Sequence, residues 1–159
     1  MQPRATFGVV YGLVQASALL AALHSEGQVY TPFDDAAWIA VTAFASVLAH
    51  GYAHHMSALR RRGGAVARRW QGLGNAIVGE WPLAAATLPT VLLLVLAGVG
   101  HWDEPLTTAI GLAVNTLLLF CWGAWGAVSA GYARRSALLV GTGDAALGVL
   151  IAVANALLK

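Results

Sequence analysis

The chain has 159 residues, 58% of them apolar or aromatic and only 10% charged, against about 25% charged in an ordinary soluble domain. So few charges cannot screen that much apolar surface in a soluble globule of this size, which disfavours both a soluble enzyme and a nucleic-acid binder. The formal charge of +2 carries no nucleic-acid meaning, because the basic residues sort by membrane side.

Five apolar runs reach the roughly 20 residues that a helix needs to cross the hydrocarbon core. Their continuous apolarity predicts helices, because barrel strands would alternate. The first spans Ala5 to His24. Its apolar stretch exceeds the roughly 7 to 15 residues of a secretory signal, so it is read as a retained span. Gly8 and Gly12, extended by Ala16, give it a face where backbones can approach closely. Gln15 lies near its midpoint.

The second run, Ala36 to Ala58, is the informative one. Thr42, Ser46, His50 and His54 stand four apart and form one polar stripe along a single face. With the hydrocarbon midpoint near Ser46, a rise of about 1.5 Å per residue places His50 about 6 Å and His54 about 12 Å toward the next connection. His55 falls at the interface. That connection, 59–79, carries Arg60, Arg61, Arg62, Arg68 and Arg69. Within it Val66, Trp70, Leu73 and Ile77 recur at helical spacing, which predicts a short interfacial helix. The alternative is an early start to the third span, which Gly72, Gly74 and Gly79 would weaken.

The third run covers Glu80 to Gly100, with Pro82 suited to a first helical turn. Glu80 stands at a depth similar to that of His54, so the two are expected to meet. The fourth, Pro105 to Ala130, has Asn115 near its midpoint and a small-residue series at Gly123, Ala127 and Gly131. The fifth, Ser136 to Leu158, places Asp144 about 12 Å from its start, near the depth of His50. A carboxylate there should not face lipid. Cys121 is the one cysteine, so no disulfide can form within the chain.

The loops set an orientation. Arginines fill the connections after the second and fourth runs, while Glu26, Asp34, Asp35, Asp103 and Glu104 occupy the other two. The arginine side is expected to be cytoplasmic, with the N-terminus inside and the C-terminus outside. Trp38 and Trp102 mark the outer interface, and Trp70 and Trp81 the inner one. The predicted fold is all-α: one polytopic domain of five transmembrane helices plus a short cytoplasmic interfacial helix.

Ionisable residues in a membrane are expensive, and they are the first place to look for function. His50, His54, Glu80 and Asp144 crowd the cytoplasmic half and are expected to form a cluster that binds a divalent metal or relays protons. Gln15, Thr42, Ser46 and Asn115 would line the path and Gly8, Gly12, Gly123 and Ala127 pack the helices. An inward-open vestibule follows from the same depth pattern. Plainer readings exist: hydroxyls bonding their own backbone, Gln15 and Asn115 gluing helices, His54 and His55 as interfacial anchors, and Glu80 as a helix cap. His24 and His101 are given no role. A single run of closely spaced histidines does not suffice for a di-iron oxygenase.

The stretch Gly12-Leu13-Val14 with the small residues after it, and the segment from Gly123 through Arg134, Arg135 and Ser136 to Gly148, resemble the vacuolar iron transporter family. The five-span plan is similar too. The resemblance implies a dimeric exchanger of divalent metal for protons, with the metal as substrate. Tyr11 stands where that family has a metal-binding Asp, His50 and His54 where it shows Met and Glu, and the acidic cytoplasmic helices are missing. The chain also looks like small actinobacterial integral membrane proteins. The expected function is therefore a transporter or channel-like protein, not an enzyme, in the cell membrane. The alternative is a non-transporting membrane subunit or scaffold whose histidines bind a partner, a lipid or a haem.

Overall fold

The computed structural model describes residues 3–23, 29–62 and 69–158. All regular structure among them is helical: α1 (Pro3–Ala22), α2 (Pro32–Arg62), α3 (Arg69–Gly79), α4 (Trp81–Gly100), α5 (Glu104–Ser129) and α6 (Arg134–Leu158). Four stretches are long and apolar enough to cross a membrane: Pro32–Ala58, Gly72–Gly100, Glu104–Ser129 and Arg134–Leu158. The apolar part of α1, Thr6–Ala22, is shorter. His24, Glu26, Val66, Arg68 and Lys159 lie outside the described residues, as do the side chains of Arg60, Arg61, Arg62, Arg69 and Trp70.

The largest boundary differences from the sequence reading are at the two ends of α2. α2 begins at Pro32, not Ala36, and ends at Arg62, not Ala58. Proline suits a first helical turn, and Asp34 and Asp35 in that turn compensate the positive end of the helix dipole. Between 59 and 80 a separate helix does form. α3 packs against α2 and touches α4 little, with Ile77 backed onto Gly51 and Gly72 against His55. Glu80 then makes a single turn, accepting from Leu83 N–H while its own N–H donates to Ile77 O.

α1 is the centre of the bundle. Val9, Leu13, Ala16 and Leu20 are buried, and the helix packs on α4 and α5 and, less extensively, on α6 and α2. Gly8 and Gly12 face Pro82, Leu83 and Ala86, so this small-residue pair brings α1 close to α4 within one chain. The paired positions fix directions: Gly8 with Leu83 and Gly12 with Ala86 make α1 parallel to α4, while Thr6 with Gly126 and Leu20 with Gly111 make it antiparallel to α5.

α5 and α6 form the most extensive helix pair. Gly123 meets Gly141 and Asp144, Gly141 lies against Phe120 O and Ala124, and Gly148 against Thr116. Gly131, expected to continue the small-residue face, instead stops the helix. It has φ 87°, and the N–H of Tyr132 reaches back to Ala127 O, the left-handed termination for which glycine is preferred.

Candidate functional site

The bundle has two chemically different ends. Asp34, Asp35, Asp103 and Glu104 lie at the end where α2 and α5 begin and α4 stops, whereas Arg134 and Arg135 open α6 at the opposite end. The polar residues of α2 run between these ends on the side that faces α1 and α4.

Near the middle, Gln15 Nε2 donates to Ser46 Oγ at 2.8 Å and approaches Thr42 O at 3.5 Å. The Thr42 hydroxyl turns back to Trp38 O at 2.7 Å, leaving its carbonyl, not its side chain, toward α1. One turn on, His50 Nδ1 lies 2.9 Å from Ser46 O, and its ring meets the Tyr11 ring edge-on at 4.9 Å between centroids. Another turn on, His54 Nε2 stands 3.4 Å from Glu80 Oε1. Glu80 is 6% exposed; it occupies the N-cap position of α4, but its side chain makes no cap hydrogen bond there. The burial of a carboxylate with an imidazole partner marks this pair as the chemically distinctive feature of the arginine end.

The expected four-residue cluster is corrected. Asp144 projects onto Gly123 of α5. α6 packs on α5 and α1, whereas α2 packs on α4, α3 and α1, so His50 and Asp144 join the bundle on different sides. The cause is the small-residue seam of α5 and α6, which draws α6 onto its chain neighbour and away from α2. Among the described residues, no three His, Cys, Asp or Glu side chains are grouped to hold a metal.

Asn115 is buried between α4 and α5, accepting from Thr90 Oγ1 at 3.0 Å; among the described residues its Nδ2 has no hydrogen-bond partner, and neither does Gln15 Oε1. The acidic end carries two open clefts of about 520 and 470 Å³. The first is lined by Tyr30, Phe33, Asp34, His101 and Trp102 among others. Sequence reasoning passed over it because its parts come from two separate segments, which the packing of α2 on α4 brings together with Phe33 against Gly98.

No family model, curated protein or solved structure matches this chain.

Proposed function

We propose that this is a five-span membrane protein that passes protons, or a cation exchanged with them, through the polar seam of α1, α2 and α4. Support for the fifth span comes from α1. At 20 residues it is about 30 Å long, and its central packing leaves it no place outside a slab that its neighbours cross. The arginine end is then cytoplasmic, with the start of α3 at that surface and Ile77 reaching in to Gly51. The assembly would be a twofold dimer, the commonest closed arrangement, covering the exposed Phe7 and Tyr11 edge of the seam.

The observation that carries this reading is the succession Gln15–Ser46–His50, followed by His54–Glu80, on one face of α2. An imidazole and a carboxylate in contact can hand a proton from one to the other. Protons are favoured over a bound divalent ion because the described residues bring together no third ligand. Asp144 has no part in the seam.

The test is proton flux into liposomes holding the purified protein and a pH-sensitive dye, under an imposed gradient. Wild type should acidify the lumen, Glu80→Gln and His54→Ala should slow it at least tenfold, and Asp144→Asn should leave it unchanged. Flux indifferent to Glu80 and His54 would overturn the seam, and an inert wild type would favour the non-transporting subunit.

A further inference from the structure

We propose that the cleft between the start of α2 and the end of α4 binds a small organic cation, an alkylammonium group held by aromatic faces and the Asp34 carboxylate. The cleft measures about 520 Å³, and Tyr30, Phe33 and Trp102 supply its aromatic wall. That is within the range of small-molecule sites, roughly 300 to 1,000 Å³. Asp34 also lines the adjoining cleft of about 470 Å³, beside Asp35 and Trp38, so it is common to both.

The aromatic wall is seated by the backbone of α4. A Cβ at Gly98 would come within 2.7 Å of the Phe33 ring, and one at Gly100 within 2.6 Å of Trp102 Nε1. Both rings therefore occupy room that only glycine leaves. The Trp102 main chain is held further by its backbone N–H, which donates to Ala97 O at 3.0 Å. His101, in the left-handed conformation at φ 52°, turns the chain at the end of α4, and His101 and Trp102 both line the cleft.

The ligand class follows from charge and surface chemistry. Asp103, Glu104 and Asp35 all act on Tyr30, and neither 29–58 nor 97–107 contains a Lys or Arg. The field at the mouth draws in cations and repels anions. A bare metal ion would gain nothing from Phe33 and Trp102, whereas an ammonium carrying methyl or methylene groups satisfies both the ring faces and the carboxylate. The cleft lies at the far end of the bundle from His54 and Glu80, so this proposal stands or falls independently of proton passage.

The test is calorimetric titration of the full chain in detergent with tetramethylammonium and with choline, using sodium as control. Wild type should bind both organic cations saturably and sodium not at all. Asp34→Asn should weaken binding at least tenfold, Trp102→Leu severalfold, and Gly98→Ala, which displaces the Phe33 ring, by a similar factor. Unchanged circular dichroism and gel-filtration profiles would show that these surface variants are folded. Repeating the titration in nanodiscs distinguishes the source of the ammonium group. Weaker choline binding in phosphatidylcholine than in phosphatidylglycerol discs identifies a lipid headgroup as occupant, and equal binding identifies a free solute. No saturable binding to wild type, or binding indifferent to Asp34 and Trp102, would overturn the proposal.

Discussion

Gln15 of α1 and Ser46 of α2 share a hydrogen bond of 2.8 Å at the middle of their helices, where α1 and α2 otherwise touch little and each packs mainly on α4. The bond is therefore the main polar tie across the seam. Interhelical hydrogen bonds in membranes contribute about 0.6 kcal/mol on average and up to about 1.7. A double-mutant cycle of Gln15→Leu and Ser46→Ala, read by unfolding in mixed micelles, should give a coupling energy in that interval. A coupling near zero would mean that Gln15 is satisfied elsewhere.

Gly12 predicts the sharpest stability loss. A Cβ there would strike Leu83 O and lie 3.0 Å from Ala86 Cβ, and the carbonyl of a helix interior cannot move aside. Gly12→Ala should cost about 1 to 3 kcal/mol, as overpacking does, and Gly12→Val more. Gly74, with nothing within 4 Å of an added Cβ, is the control. Gly74→Ala should be neutral or stabilise α3 by up to about 1 kcal/mol. Because Gly12 packs within the chain, its loss should appear in the unfolding of the monomer and not in subunit exchange.

The sequence made some of this arrangement legible and hid the rest for identifiable reasons. Residues four apart on α2 share a face whatever the tertiary structure, so the stripe from Thr42 to His54 could be read directly, and Glu80 follows α2 closely enough in the chain to be placed near it. Asp144 could be assigned a depth but not an azimuth. Depth comes from counting residues, whereas direction depends on which neighbours α6 chooses. The signal for that choice was present in Gly123 of α5 and in Gly141 and Gly148 of α6, small residues on two successive helices. The aromatic cleft was the hardest to foresee: an exposed Trp next to an acidic loop reads as an interfacial anchor, and only the fold brings Phe33 onto Gly98.

Tyr30 predicts an alkaline response. Burial raises its phenol above the ordinary value of 10.0; a hydrogen bond to Thr107 opposes this, and the charges of Asp35, Glu104 and Asp103 add to it. A group whose folded pKa is the higher one gives stability that is complete below the unfolded value and lost as pH rises through the folded value. Thermal unfolding should therefore hold steady up to about pH 10 from this group and decline above it, with Tyr30→Phe showing the shallower decline. Profiles that fall in parallel would remove Tyr30 as the cause.

Asp144 and Gly123 should be strongly non-additive. A Cβ at Gly123 would collide with the Asp144 carboxylate and come within 3.1 Å of Gly141 Cα, so Gly123→Ala must either rotate the carboxylate away or part α5 from α6. Asp144→Ala removes the first obstacle and leaves space that the new methyl can enter. Residues in direct contact typically couple by about 0.5 to 3 kcal/mol. The double variant should accordingly be more stable than the sum of the two single losses by an amount in that interval, measured by unfolding in mixed micelles. If Asp144 instead swung freely in a wet path, the carboxylate would yield at no cost, Gly123→Ala would be nearly silent and the two changes would add. Non-additivity together with unaltered proton flux in Asp144→Asn would assign this carboxylate to the α5–α6 seam and leave passage to the His54–Glu80 side of the bundle.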